Sequence, residues 1–212
     1  MPVRVLELFS GTHSVAKVCT ELGWDTVSVD IDGKATFNED ILTWDYKQFA
    51  PHHFDIIWAS PPCHTFSVLR RSWIGKKLKF FGDNIVTKEM LDADMIKRGL
   101  PLVRKTEEII EYLKPKWYFI ENPAFGKMRY YIDRPNYVVD YCRYSDWGYR
   151  KPTRIWTNVT NFNPKQCQRI GSHTVKIGQV CERRVNSLNS LYRIPPDLIV
   201  DLFKSTDALP EP

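Results

Sequence analysis

Two short stretches carry residues suited to making and breaking bonds. In FDIIWASPPC an apolar run gives way to Ser60, Pro61 and Pro62, and then to Cys63. The two prolines fix φ and remove two backbone donors, so the cysteine sits on a stiff turn. A thiol presented there is a candidate nucleophile, with His64, Thr65 and Ser67 as polar neighbours. The competing reading is a buried structural cysteine, the usual fate of the residue. In WYFIENP the apolar run ends on Glu121, followed by Asn122 and Pro123. A lone carboxylate at such a place is more often solvated or capping. Paired with Cys63, it supplies the proton chemistry that covalent catalysis needs.

A third stretch, LELFSGTHS, is suited to binding. Phe9, Ser10, Gly11, Thr12, His13 and Ser14 form a tight turn into a helix, where backbone N–H groups can approach a ligand. Only one glycine of a G-x-G-x-x-G pattern is present, so a plain strand-to-helix turn competes. Asp30, about twenty residues on, closes the next strand and can accept from ribose hydroxyls, with Asp32 as its near competitor. Asp40 can accept from an adenine amino group, though a capping role competes. Ile31, Ile41 and Pro61 complete the positions assigned to a cofactor. The remaining cysteines, Cys19, Cys142, Cys167 and Cys181, read as structural. Cys167, His173 and Cys181 are potential metal ligands without paired spacing or an obvious fourth donor, so no metal site is assigned.

These motifs need elements to hold them. Residues 3–9 read as a buried strand, and 13–22 as a helix with apolar positions Val15, Val18, Cys19 and Leu22, ended by Gly23. Residues 25–30 read as a second strand, 40–42 as a third or its entry, and 45–49 as a polar helical turn. Residues 54–59 and 117–122 are apolar strands, with one or two helices over 91–113 between them. Such alternation predicts an α/β fold, a mostly parallel sheet with helices on both faces. Ligands in open sheets of this kind bind beyond the C-terminal strand ends, where each motif falls.

The whole of 1–212 reads as one catalytic domain, with a basic insertion at about 64–100 and a loop-rich segment at about 157–190. The tail from Thr206 reads as frayed. A net charge of +5 permits a polyanionic partner without demanding one. Five irregularly spaced cysteines argue for reduced thiols. No apolar run approaches a membrane span, and the start of the chain lacks the long apolar core of a secretory signal, so a soluble, intracellular protein is expected.

Taken in order, FSGTHS, an acid after the second strand, SPPC and ENP resemble the cytosine-C5 DNA methyltransferases. The compact phage- and virus-type members, in which SPPC is followed by FS as in Phe66-Ser67, come nearest. WGYRKPTRIWTN is similar to the family's basic segment, and YRIPPDLIVDLF to its closing motif, so the likeness runs from about residue 5 to 203. Four features depart from the family pattern. Thr12-His13-Ser14 stands where a second glycine is usual, and Asp30 where Glu is usual. The basic Arg-x-Arg is missing, leaving Lys151 and Arg154 as substitutes. Only about thirty-five residues occupy the place of a target-recognition domain.

The resemblance implies a Rossmann-like, S-adenosylmethionine-dependent enzyme acting on carbon 5 of cytosine in DNA. It implies Cys63 as the thiolate that adds to carbon 6, Glu121 as the group holding N3 and the exocyclic amine, and Asn122 and Pro123 as its supports. Arg154 or Lys151 would contact the O2 edge or a phosphate. The base must be flipped out of the duplex. Arg70, Arg71, Lys76, Lys77 and Lys79, interleaved with Trp73, Phe80 and Phe81, form a candidate DNA-facing strip, against which a solvated loop competes. Two rival readings stand: an N4/N6 amino-methyltransferase, which needs no thiol, and a catalytically impaired relic that binds cofactor or DNA as a partner. A nicotinamide dehydrogenase explains neither SPPC nor ENP. RNA remains open as a substrate.

Overall fold

The computed structural model describes residues 2–168, 173 and 191–209. Strand β1 (Arg4–Leu8) leads through a tight turn into helix α1 (Ser14–Glu21) and back into β2 (Asp25–Asp30). After a two-residue strand β3 (Phe37–Asn38), the chain crosses to β4 (Ile56–Ala59). A run of 3-10 turns then precedes α2 (Lys88–Asp94), which passes through one π turn (Met95–Gly99) into α3 (Leu100–Leu113). Strands β5 (Trp117–Pro123), β6 (Asn136–Asp140) and β7 (Pro152–Thr157) follow, with α4 (Pro196–Lys204) near the end.

The seven strands lie in the order β3-β2-β1-β4-β5-β7-β6. The first five in that order pair in parallel, and β7 runs antiparallel to both β5 and β6. The expected α/β class and helices on both faces are therefore present. Strand order reverses direction between β1 and β4, which makes their C-terminal ends the place where a crevice opens.

Side-chain alternation explains the two layers. Leu6, Leu8, Ile57, Ala59 and Ile120 point to one face, against Val103, Ile109, Ile110 and Leu113 of α3. Val5, Ile56, Trp58, Phe119 and Ile155 point to the other, against Val15, Val18 and Cys19 of α1 and Leu198, Ile199, Leu202 and Phe203 of α4. Cys19 is thus the structural cysteine the sequence suggests. Glu7 has the same parity as Val5, so the pleat drives its carboxylate beneath α1. There it accepts hydrogen bonds from the N–H groups of Val15 and Ala16, both at 3.1 Å. Helix α1 receives no bond from the side chain of its capping residue, so Glu7 supplies the acceptors its first turn lacks.

Several local expectations are corrected. Residues 40–42 form a turn, because Asp40 folds its carboxylate back onto the N–H of Leu42 at 3.0 Å; the short strand lies earlier, at β3. Strands β6 and β7 are absent from the sequence reading, because neither shows a strict alternation bounded by turn residues. The part of the basic insertion from residue 88 onward is the first half of a long helix, not an excursion. The tail is anchored as far as Leu209: Thr206 is buried and Ala208 and Leu209 pack on the α1–α4 core.

Candidate active site

One cavity of about 830 Å³ opens at the C-terminal ends of β1, β4 and β5. Its wall combines the turn after β1 (Phe9 to Ser14), Asp30 and Asp32 after β2, and Ser60 to His64 after β4. Glu121, Asn122 and Pro123 of β5 close the far side. The thiol of Cys63 and the carboxylate of Glu121 therefore face the same space.

The turn after β1 owes its shape to repeated left-handed backbone. Phe9, Gly11 and His13 have φ of 59°, 43° and 54°. For Phe9 and His13 that conformation costs energy, so surrounding bonds must hold it. The N–H groups of Phe9 and Ser10 both reach the carbonyl of Val29, and Gly11 N–H donates to Asp30 Oδ2 at 2.9 Å. Asp30 Oδ1 accepts from the N–H groups of Ile31 and Asp32. Three of the acceptor directions of Asp30 are thus used to lock the loop, and a further one on Oδ2 remains for a ligand hydroxyl. Ser10 Oγ and His13 Nε2 are buried and have no hydrogen-bond partner among the described residues. Unsatisfied buried polar atoms in a cavity wall are what a polar ligand would satisfy.

The Cys63 loop is tied down from both sides. Asn122 Nδ2 donates to the carbonyl of Pro61 at 2.8 Å, so the residue after Glu121 holds the turn that carries the thiol. Behind the loop, Gly99 in the π turn packs against the 3-10 turn His64–Phe66. A β-carbon there would lie 2.2 Å from Thr65 Oγ1 and 2.8 Å from the Phe66 ring, so only glycine fits. Asn122 therefore holds the backbone of the turn that carries Cys63.

Electrostatics divide the pair. Burial pushes the Cys63 thiol above its ordinary range, the nearby Glu121 carboxylate pushes it further, and Lys151 opposes both. Glu121 accepts from the hydroxyl of Tyr141 at 2.9 Å, and Lys151 Nζ lies 3.8 Å from it. Burial, and then the Glu121 charge, hold the Tyr141 hydroxyl protonated as that donor. Lys151 is fixed by the carbonyl of Leu191 at 3.0 Å and by the Tyr141 ring. Burial, with Arg98 and Arg70 next, lowers the His64 pKa, which leaves a neutral imidazole in the cavity wall. Glu7, also in the wall, is raised to about 7 by burial against the opposing bonds from Val15 and Ala16.

Other predicted positions fall elsewhere. Ile31 is 77% exposed, and neither it, Asp40 nor Ile41 lines the cavity; Ile41 is core, beside Trp44. Arg154 sits opposite Asn122 on β7 but outside the cavity, donating to Asn136 Oδ1 and lying over the Trp156 ring. Of the two basic substitutes, Lys151 is the one that lines the cavity. Arg70 is only 5% exposed and pairs with Asp94 at 2.5 Å while donating to the carbonyl of Thr65. It braces the Cys63 loop from below. Arg71, Lys76, Lys77 and Lys79 are exposed, with Trp73 and Phe80 beside them. Of the three potential metal ligands, Cys181 lies outside the described residues.

The residues missed include Glu7, Gly99 and Tyr141, with Lys17 and Lys34 in the cavity wall and Tyr192 and Ile194 lining it from the closing motif. Ile194 N–H donates to Ser14 Oγ, which brings that motif onto the β1 turn. Glu7 could have been found, since a charge at a core position of an apolar strand demands a partner.

Sheet order and a cavity at the ends of the parallel strands define a Rossmann-like α/β class. The Entamoeba histolytica methyltransferase EhMeth superposes with a TM-score of 0.52 at 16% identity, over 80% of this chain and 58% of that one. A SAM-dependent methyltransferase from Archaeoglobus fulgidus matches at a TM-score of 0.32 and 18% identity, over 57% of this chain and 45% of its own. No family model matches. A probable DNA (cytosine-5)-methyltransferase of Frog virus 3 (isolate Goorha) is 44% identical over 219 residues, spanning 95% of this chain and 99% of its own length. The chain belongs to the DNA (cytosine-5)-methyltransferase family. Among the described residues no helix is long and apolar enough to cross a membrane.

Proposed function

We propose that this protein methylates carbon 5 of cytosine in DNA, with S-adenosylmethionine as donor and Cys63 as a covalent nucleophile. The observation that carries the proposal is that Cys63 and Glu121 line one cavity with the turn after β1 and Asp30. When bound, S-adenosylmethionine supplies an electrophilic methyl group. The backbone of Phe9 to Thr12, the free acceptor direction of Asp30, and the unpartnered Ser10 and His13 would hold it. Asp32 stands beside them in the wall, and Asp40 lies outside the lining of the cavity.

The base half of the pocket then belongs to Cys63, Glu121 and Lys151. The Cys63 thiolate adds to carbon 6 of a flipped cytosine, which breaks the ring's aromaticity and makes carbon 5 nucleophilic. Glu121, oriented by Tyr141, holds N3 and the exocyclic amine as charge shifts onto the ring. Lys151 steadies the thiolate and Glu121 together. Once carbon 5 carries the donated methyl group, loss of its proton to a base and departure of Cys63 as thiolate would restore the aromatic ring. His64, a neutral imidazole lining the same cavity, would be the candidate to accept that proton. Arg71, Lys76, Lys77 and Lys79 would grip the phosphates beside the Cys63 loop.

The test is incubation with tritiated S-adenosylmethionine and mixed DNA, then nucleoside analysis. Label in 5-methylcytosine with wild type, and none with Cys63→Ser, is the expected outcome. Label in N4-methylcytosine or N6-methyladenine, or activity surviving in Cys63→Ser, would refute it.

A further inference from the structure

The edge of the sheet holds a second cluster of reactive side chains, remote in sequence from the pocket motifs. Cys142 lies in the 3-10 turn that follows β6, and Cys167 and His173 come from the chain beyond β7. One ligand atom from each lies within 4.8 Å of the others, and Cys167 Sγ is 3.6 Å from His173 Nε2. Zinc bonds of about 2.3 Å to sulfur and about 2.0–2.1 Å to nitrogen, opened to the tetrahedral angle, place those two atoms about 3.6 Å apart. The donor set, two sulfurs and one imidazole without carboxylate, suits zinc over magnesium or calcium.

We propose that Cys142, Cys167 and His173 bind a zinc ion that staples the chain beyond β7 to the edge strand β6. Binding displaces the two thiol protons to solvent, so two thiolates and a neutral imidazole balance the charge of the ion. A fourth donor completes the tetrahedron from outside these three.

The surroundings are built for such a staple. Strand β6 ends the sheet, and an open edge invites pairing with other chains unless it is covered. Residues 165–167 cover it: the carbonyl of Lys165 accepts from Asp140 N–H, and Gln166 Nε2 donates to the carbonyl of Val138. Cys167 N–H donates to Asp140 Oδ2 at 2.8 Å, and Asp140 is itself paired with Arg150 at 2.8 Å. The ligand's own backbone is therefore fixed by a buried carboxylate whose charge Arg150 already balances. The site is separate from the Cys63 cavity, and the proposal does not rest on the methylation chemistry.

The test is elemental analysis of untagged protein purified without chelator, followed by zinc removal and cobalt loading. About one zinc per chain is expected, with thiolate-to-cobalt absorption bands in the substituted wild type. Cys142→Ser and His173→Ala should each lose the metal, and chelation should lower the melting temperature of wild type but not of these variants. Failure of reduced wild-type protein to take up zinc or show thiolate–cobalt bands overturns the proposal without need of any variant. So does zinc that persists in Cys142→Ser, or a Cys142–Cys167 disulfide found by mass spectrometry.

Discussion

The parallel and antiparallel halves of the sheet contribute to the pocket in different ways. Strands β1, β2, β4 and β5 bring the proposed reacting groups and the cofactor-facing turn, each at the C-terminal end of its strand. The chain between β6 and β7 brings Tyr141 and Lys151, which approach Glu121. On the proposed mechanism, one half holds the chemistry and the other sets its charge. A nucleophile beside a carboxylate is a poor arrangement by itself, since the acid's charge opposes thiolate formation. The antiparallel hairpin remedies this by placing a lysine beside both.

That division can be broken at its strongest point first. Glu121→Gln removes the carboxylate while keeping the shape, and kcat should fall by about 10²–10⁴-fold, as for loss of a proton-transfer group. The same substitution should make Cys63 easier to ionise, because a charge that raises its pKa is gone. Alkylation by iodoacetamide in the absence of DNA would then run faster at pH 8 than in wild type. Turnover lost while alkylation quickens separates a chemical role from a collapsed pocket.

Lys151→Met probes the other half in the opposite sense. Lysine is the group that lowers the Cys63 pKa, so its loss should move the alkylation profile to higher pH and slow the reaction at pH 8. Turnover should fall by about 10–100-fold, since each unit by which the thiol pKa rises costs about tenfold in thiolate at fixed pH. An unshifted profile would mean that Lys151 does not face the thiol, and the comparison of the two halves would fail.

Gly99→Ala leaves every pocket residue in place and disturbs only the support beneath Cys63. Overpacking against Thr65 and Phe66 should cost about 1–3 kcal/mol of stability, measured by denaturant unfolding, with a further loss of kcat. The smallest effect belongs to the strip. Replacing Lys76, Lys77 and Lys79 by Ala should weaken DNA binding uniformly across sequences. It should also flatten the salt dependence by about one unit of slope for each phosphate left without its lysine. A changed sequence preference would instead assign the strip to base recognition.

The difference between the halves also explains what is legible in the sequence. Strands such as IIWA and WYFIEN are buried on both faces and end abruptly at proline, so both the element and its terminal chemistry can be read. Strand β6 at the sheet edge and β7 beside it carry mixed residues, without the continuous apolar run that marks β4 and β5. The roles of Tyr141 and Lys151 beside Glu121 arise from β7 returning antiparallel to β5, a non-local event that no short motif announces. The sequence leaves Arg154 and Lys151 as alternatives, and the register of β7 against Asn122 keeps Arg154 outside the cavity that Lys151 lines. Arg70 reads as one more surface cation in a basic run, yet its ion pair with Asp94 is 24 residues away in sequence. Gly99 shows no signal within a helical pattern until the Cys63 loop is seen packed on it.

The central claim is that the sulfur of Cys63 bonds to a flipped cytosine, and trapping tests it most directly. DNA containing 5-fluorocytosine lacks the proton whose removal releases the enzyme, so the protein incubated with it and S-adenosylmethionine should become covalently attached. Peptide mapping should find the adduct on Cys63, and Cys63→Ser should form none. Steady methylation of ordinary cytosine with no trapped species, or an adduct on another residue, would contradict the account.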